Sequence, residues 1–308
     1  CFARSPSRPS STLSFMDFSL DGRSFGYLNP YVIAEIGVNY EGSMARAKAM
    51  IDQVSRGGGH AAKFQTYKAE TLAAKGFSPA YWDQTKEATD NQYELFQRYD
   101  AFGPAEYEEL AAHCVSVGVD FMSTPFDLES VDYLAPLMKS IKIASADLTN
   151  VPLRRRVARV GKPVIMSVGA SSLDEVADAL ADLIAHGAET VTLLHCVLNY
   201  PTPPQNANLQ GIRRLIAAFG DQVTIGYSDH VAPDDDGGVP ALEMAAVFGA
   251  RVLEKHFTDD RTATGNDHYH AFDEAGLANF SAKLDTYRTL YGQGDVNLDV
   301  QVNAINNA

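Results

Sequence analysis

Two histidines close two apolar runs: His230 ends "VTIGYSDH" (223–230) and His256 lies in "RVLEKHF" (251–257). Two lysines, Lys63 in "AAKFQT" and Lys142 in "SIKIAS", sit inside other apolar runs, where an unpaired ammonium is costly to bury. Two imidazoles on neighbouring strands, with no cysteine beside them, suit a divalent ion completed by water and substrate oxygens. Such oxygen-rich completion favours manganese or a similar ion, magnesium and cobalt included, over structural zinc. The bland reading of the same pair is two hydrogen-bonded core histidines. For the lysines, the functional reading is a phosphate or carboxylate site shared with the hydroxyls of Thr124, Ser145 and Ser228. Their bland reading is a buried ion pair with Glu35 or Glu254.

These residues need elements that bring them together. Eight runs read as strands: 31–37, 61–65, 119–123, 140–145, 163–168, 190–196, 223–228 and 251–257. Between and after them, apolar spacing of three and four predicts helices near 43–56, 105–117, 128–137, 150–160, 172–186, 208–219, 236–248 and 274–290. The helix after "SVGA" has the clearest punctuation, with Ser172 as N-cap, Glu175 as its capping-box partner and Gly187 beyond the end. Tandem β–α units whose strands are apolar on both faces predict an α/β fold, a (β/α)8 TIM barrel over residues 30–291. An open doubly wound sheet is the alternative, but no GxGxxG follows the first strand.

In such barrels the active site lies where the strands end. Read in order, those ends carry Glu35, Lys63, Gln65, Ser123, Thr124, Lys142, Ser145, Ser167, His195, Tyr200, Ser228, Asp229, His230, Glu254, Lys255 and His256. The seventh and eighth strands are neighbours in a closed barrel, so His230 and His256 fall close enough to share one ion. Asp267 follows a Gly-Asn turn in "TGNDHYHAFD" and is expected at the pocket mouth, whereas His268 and His270 receive no role. His195 and Cys196 are adjacent on a strand and therefore point to opposite faces, which argues against a nucleophilic pair. The long connection 66–103, with Trp82, reads as a lid or an interface element.

Composition bounds the partners. A formal charge of −14 and a pI near 4.9 oppose docking on nucleic acid or an anionic membrane. No apolar run is long enough to span a bilayer. Three widely spaced cysteines without a CxxC pair favour a reducing compartment, the cytoplasm. Residues 1–29 read as a leader or extension. The Ser, Arg and Pro-rich start before Met16 suits either an organellar transit peptide or sequence upstream of the true start. Residues 292–308 read as a polar tail.

Several motifs together resemble one known family. "YVIAEIGVNYEG", "AAKFQTYKAETL", "FMSTPFDLESVDYL", "IKIASADLTNVPLRRRVA", "HCVLNYPTPPQNANL", "GYSDH" and "LEKHFTDDRTATGNDH" are similar to those of N-acetylneuraminate (sialic acid) synthases and their legionaminate, pseudaminate and spore-coat relatives. The resemblance implies a barrel that condenses phosphoenolpyruvate with an open-chain N-acylated hexosamine, such as N-acetylmannosamine. The products are a nine-carbon 2-keto-3-deoxy acid and phosphate. It implies Lys63, Thr124, Lys142, Ser145 and Ser228 as phosphoenolpyruvate contacts, His230 and His256 as metal ligands, and Glu35, Gln65, Tyr200 and Asp267 at the sugar. Ser167 and Glu254 fall in matching motifs without a settled role. In the implied reaction the ion polarises the aldehyde, the enol carbon attacks it, water adds at C2 with help from Glu35, and phosphate leaves by C–O cleavage.

Two departures stand out. Where the family has a phosphoenolpyruvate-binding asparagine two places before Tyr200, this chain has Leu198, with Asn199 displaced by one. The family's C-terminal antifreeze-protein-like domain, which supplies an arginine to the N-acyl group in the partner's site, is not within residues 292–308: it is a separate chain, lies beyond a fragmentary sequence, or is replaced by an element such as the 66–103 loop. A homodimer is compatible with the resemblance. The alternatives are a synthase acting on a phosphorylated aldose, as in the octulosonate and heptulosonate branches, and an inactive ligand-binding paralogue.

Overall fold

The computed structural model describes residues 16–304 apart from 77, 78, 81, 83, 86, 235, 236, 266, 293, 295–298 and 303. The segment 1–15 lies outside the described residues. Eight parallel strands form the sheet: β3 (Tyr31–Gly37), β4 (Ala61–Thr66), β5 (Asp120–Pro125), β6 (Ile141–Ile143), β7 (Val164–Ser167), β8 (Val191–Cys196), β9 (Thr224–Asp229) and β10 (Val252–His256). Their order is β5-β4-β3-β10-β9-β8-β7-β6. Ladders join seven neighbouring pairs, and β5 packs beside β6 at the seam. The ring is thus a nearly closed (β/α)8 barrel, as the strand count predicts. Every residue of these eight strands is buried apart from Gln65 and His195, the apolar-on-both-faces pattern of a sheet covered by helices.

The helices are α1 (Met44–Arg56), α4 (Pro104–Ser116), α5 (Leu128–Leu134), α6 (Val151–Ala158), α7 (Leu173–Ala185), α8 (Gln210–Phe219), α9 (Pro240–Val247) and α10 (Glu274–Tyr291), with α2 (Ala69–Leu72) and α3 (Gln92–Tyr99) in the long β4–α4 connection. At α7 the capping box is reciprocal: Glu175 N–H donates to Ser172 Oγ at 3.3 Å and Ser172 N–H donates to Glu175 Oε2 at 2.8 Å. Helix α9 starts later than its apolar spacing suggests, because Pro240 occupies its first position and has no N–H to give the preceding turn. Positions 235 and 236 lie outside the described residues.

Part of the segment read as an extension belongs to the fold. Strands β1 (Phe18–Leu20) and β2 (Arg23–Phe25) form an antiparallel hairpin. Its Phe18, Leu20 and Phe25 pack with Tyr31, Ile33, Ala61, Met122, Ile165, Leu194 and Val252. Tyr31, Ala61 and Val252 are the first residues of their strands, so the hairpin plugs the N-terminal end of the barrel. Three-residue strands fall below the length at which alternation can be recognised, and only burial against the barrel floor reveals them.

Candidate active site

Side-chain alternation decides which residues face the barrel axis. Along β10, Glu254 and His256 point into the site, while Lys255 points outward and donates to Asp229 Oδ2 at 2.8 Å and to the Val231 carbonyl at 2.7 Å. The same rule separates the adjacent pair on β8. His195 faces outward, its Nε2 3.0 Å from the Ala207 carbonyl oxygen, and Cys196 faces the cavity. Glu35, Lys63, Gln65, Thr124, Lys142, Ser145, Ser167, Tyr200, Ser228, His230, Glu254 and His256 all line one cavity of about 510 Å³ at the strand exits. Asp267 lines an adjoining outer chamber of about 110 Å³. Gln65, Tyr67, Phe96, Tyr200 and His256 border both. Four of the polar strand-end residues line neither chamber: His195 and Lys255 point outward, Asp229 pairs with Lys255, and Ser123 Oγ lies 2.6 Å from Thr66 Oγ1; the others converge.

At the cavity floor, Lys63 on β4 donates to Thr124 Oγ1 on β5 at 3.0 Å, and Lys142 on β6 donates to Ser167 Oγ on β7 at 2.8 Å. Lys63 also forms an ion pair with Glu35, and Glu254 lies 3.5 Å from Lys63 and 3.6 Å from Lys142. The bland reading of buried ion pairs is thus present inside the functional arrangement. Burial pushes the Glu35 carboxyl up to about 7, against the pull of Lys63 and with the push of Glu254. The raised Glu35 carboxyl thus compensates the two ammonium groups less fully than an ordinary carboxylate would. Burial also holds Lys142 below its ordinary value, a cost that an anion reaching both lysines would relieve. Ser228 donates to Glu254 Oε1 at 2.9 Å, and Gln65 Nε2 donates to Glu35 Oε1 at 3.1 Å.

Gly37 ends β3 at φ +57, beside the register shift between Glu35 and Gly37. A Cβ there would come within 3.3 Å of Glu35 Oε1 and 3.4 Å of Gln65 Nε2. A residue without a side chain is what the turn and this close approach require.

On the opposite wall, the rings of His230 and His256 lie 5.4 Å apart, as neighbouring strand ends predict. Burial holds His230 down at about 4 and His256 well below its usual value, so both are neutral and suited to ligation. His230 Nδ1 lies 2.8 Å from the Val197 carbonyl oxygen, which places the proton on Nδ1 and turns Nε2 to the site. Buried His256 Nδ1 makes no hydrogen bond among the described residues. The tightest donor group is His256, Asp267 and His270, whose ligating atoms lie within 4.8 Å of one another. Neutral imidazoles and a carboxylate form a donor set that fits a divalent ion. His270, left without a role by the sequence, sits in a loop whose lack of periodicity gives its side chain no predictable direction. A bridge between Phe257 and Phe272 returns that loop to the barrel mouth, where Phe272 N–H donates to the His256 carbonyl at 2.9 Å.

The connection after β4 supplies part of the enclosure, with Gln92 and Phe96 of α3 lining the cavity. Leu198 lines it as well, whereas Asn199 is exposed and is not part of its wall.

The NeuB family model matches residues 50–296. The chain belongs to the NeuB family. Among similar proteins, N,N'-diacetyllegionaminic acid synthase of Campylobacter jejuni is 34% identical over 267 residues, which is 85% of this chain and 78% of that protein. N-acetylneuraminate-9-phosphate synthase of Drosophila melanogaster is 32% identical, over 84% of this chain and 68% of that protein. The crystal structure of the sialic acid synthetase of Leptospira borgpetersenii, in complex with citrate, superimposes with a TM-score of 0.80 at 28% identity. The match covers 95% of this chain and 97% of that one. As a NeuB-family member the chain is an enzyme, a carbon–carbon bond-forming synthase of carbohydrate biosynthesis.

Proposed function

We propose that this protein condenses phosphoenolpyruvate with an N-acylated hexosamine such as N-acetylmannosamine, in a divalent-metal-dependent reaction, to a nine-carbon 2-keto-3-deoxy acid and phosphate. The observation that carries the reading is a cavity with two buried ammonium groups at its floor and His230 and His256 on its wall, His256 also belonging to a cluster with Asp267 and His270. Lys63 and Lys142, with the hydroxyls of Thr124, Ser145 and Ser228, hold the phosphate and carboxylate of phosphoenolpyruvate. Gln65, Tyr200 and Asp267 hold the sugar with its aldehyde toward the enol carbon. Ser167 and Glu254 orient the lysines.

His256, Asp267 and His270, with His230 beside them, would hold the ion, manganese being the first choice and magnesium or cobalt alternatives. When bound it supplies Lewis-acid polarisation of the aldehyde oxygen. The C2–C3 π electrons of phosphoenolpyruvate form the new bond from C3 to the aldehyde carbon, whose oxygen takes up a proton to become a hydroxyl, and a water oxygen adds at the electron-poor C2. Glu35, whose carboxyl sits near 7 and is oriented by Gln65, takes the proton from that water. The C2–O bond to phosphate then breaks as the C2 hydroxyl gives up its proton and closes to the ketone, and the two ammonium groups stabilise the departing phosphate.

The test is to incubate the protein with phosphoenolpyruvate, manganese and a panel of N-acyl hexosamines. Phosphate release is expected only when a sugar is present. Release with no member of the panel would refute the reading.

A further inference from the structure

The cavity is polar from end to end in charge as well as in depth. Its floor holds Lys63 and Lys142. The outer chamber, entered past Gln65, Tyr200 and His256, is lined by three carboxylates, Glu41, Glu87 and Asp267. Among the described residues no lysine or arginine lines that chamber. Two guanidinium groups stand beside it and are engaged: Arg46 with Glu41 and Asp259, and Arg98 with Glu87 at 3.0 Å. Glu41, Glu87 and Asp259 against Arg46 and Arg98 leave one net negative charge at the chamber rim, before Asp267 is counted. The dense basic run Arg154–Arg156 is committed elsewhere, to Asp182 and Asp132 on the outer helices.

A six-carbon acceptor whose aldehyde lies at His256 points its far end into this outer chamber. In a nine-carbon product made from three carbons and six, the ninth carbon is the sixth carbon of the sugar. A 9-phosphate product, as named for the Drosophila relative, therefore needs a dianion where this chain presents carboxylates. Like charges at such range in a partly enclosed site repel strongly, while carboxylates accept hydrogen bonds well from sugar hydroxyls.

We infer that the acceptor of this enzyme carries no phosphate at the end remote from its aldehyde, and that Glu87 and Glu41 at the outer chamber enforce that choice. Like the wider site, this rests on the proposed condensation. The loop that brings Glu87 is the long β4–α4 connection. There Glu87 Oε1 accepts from the backbone N–H of Thr89 at 3.1 Å and Trp82 Nε1–H donates to the Glu87 carbonyl at 3.0 Å. The carboxylate is thereby anchored at 6% exposure, a fixed electrostatic element of the chamber wall.

The experiment compares kcat/KM for N-acetylmannosamine and for its 6-phosphate, at equal phosphoenolpyruvate and manganese and at low and high ionic strength. The expected result is a preference of at least about tenfold for the unphosphorylated sugar, shrinking as salt rises. A preference for the 6-phosphate overturns this inference and leaves the condensation intact. Turnover of neither, nor of any other N-acyl hexosamine, overturns both. Glu87→Gln and, independently, Glu41→Gln should each raise the relative efficiency of the 6-phosphate several-fold. If both variants fold and keep the wild-type ratio, the carboxylates do not set the preference.

Discussion

Lys63 and Lys142 reach the same carboxylate: Glu254 Oε2 lies 3.5 Å from one ammonium and Oε1 lies 3.6 Å from the other. Glu254 thus holds two like charges together where all three side chains are buried. Replacing it leaves both partly uncompensated. Glu254→Gln should destabilise the fold by about 3–5 kcal/mol, the usual cost of breaking a buried pair from one side. Added phosphate should recover more of the melting temperature in the variant than in the wild type, because an anion then takes the carboxylate's place. Melting curves with and without phosphate check this, and equal phosphate effects on the two proteins would remove the anion site from the cavity floor.

Removing one ammonium tests the same floor from the other side. Lys142→Met should lower kcat/KM for phosphoenolpyruvate by about 10²–10³, the range seen when one donor to a developing anion is lost. Phosphate-release kinetics measure it. A loss confined to the sugar KM would assign Lys142 to the wrong substrate.

The Glu35 carboxyl, pushed up to about 7 mainly by burial, is protonated below that pH and ionised above it. As the proton acceptor it works only when ionised, so kcat/KM should rise with pH through about 7 and level off above. Its stability contribution has the opposite sign. The native state binds the extra proton between the ordinary carboxylate pKa and about 7, so this contribution is full at lower pH and declines as pH rises through that window. In Glu35→Gln the acidic limb of the rate profile should vanish, and a persistent limb at the same pH would assign it to another group.

Metal removal separates the histidines. Dialysis against a chelator should abolish turnover, and manganese should restore it. Isothermal titration with manganese alone should show affinity at least about tenfold weaker for His256→Ala and for His270→Ala. Wild-type affinity in His270→Ala would exclude the loop histidine from the ion's shell.

His60 reports on the hairpin end of the barrel. Its Nδ1 accepts the Val32 N–H at 3.0 Å, its ring packs edge-on against Phe25, and burial lowers it to about 4. Protonation would destroy the acceptor, so the unfolded state binds the proton first. The contribution is complete above about 6.5 and is lost as pH falls from there to about 4, by up to about 3 kcal/mol. Denaturant unfolding from pH 7 to 4 should therefore show a smaller stability loss in His60→Phe than in the wild type.

The barrel and most of its site were legible before any coordinates, and the reason is periodicity. Strands covered by helices must be apolar on both faces, so Lys63, Lys142 and Glu254 stood out as charges with no cheap place to go. Alternation separated His195 from Cys196 on β8, while on β10 the structure showed that Lys255 turns outward between Glu254 and His256. Neighbouring strand order made His230 and His256 partners. Other features carry no such signal. The hairpin strands are three residues each, and Phe18, Leu20 and Phe25 become core only against the barrel floor. His270 stands beside His256 because the Phe257–Phe272 bridge folds the intervening loop back over the mouth. The charge of the outer chamber likewise arises where Glu41, Glu87 and Asp267 meet from three separate loops. Local sequence determined which strands carry the site residues and at which end. Only tertiary structure decided what the aperiodic loops add, because their positions depend on contacts far away in the chain.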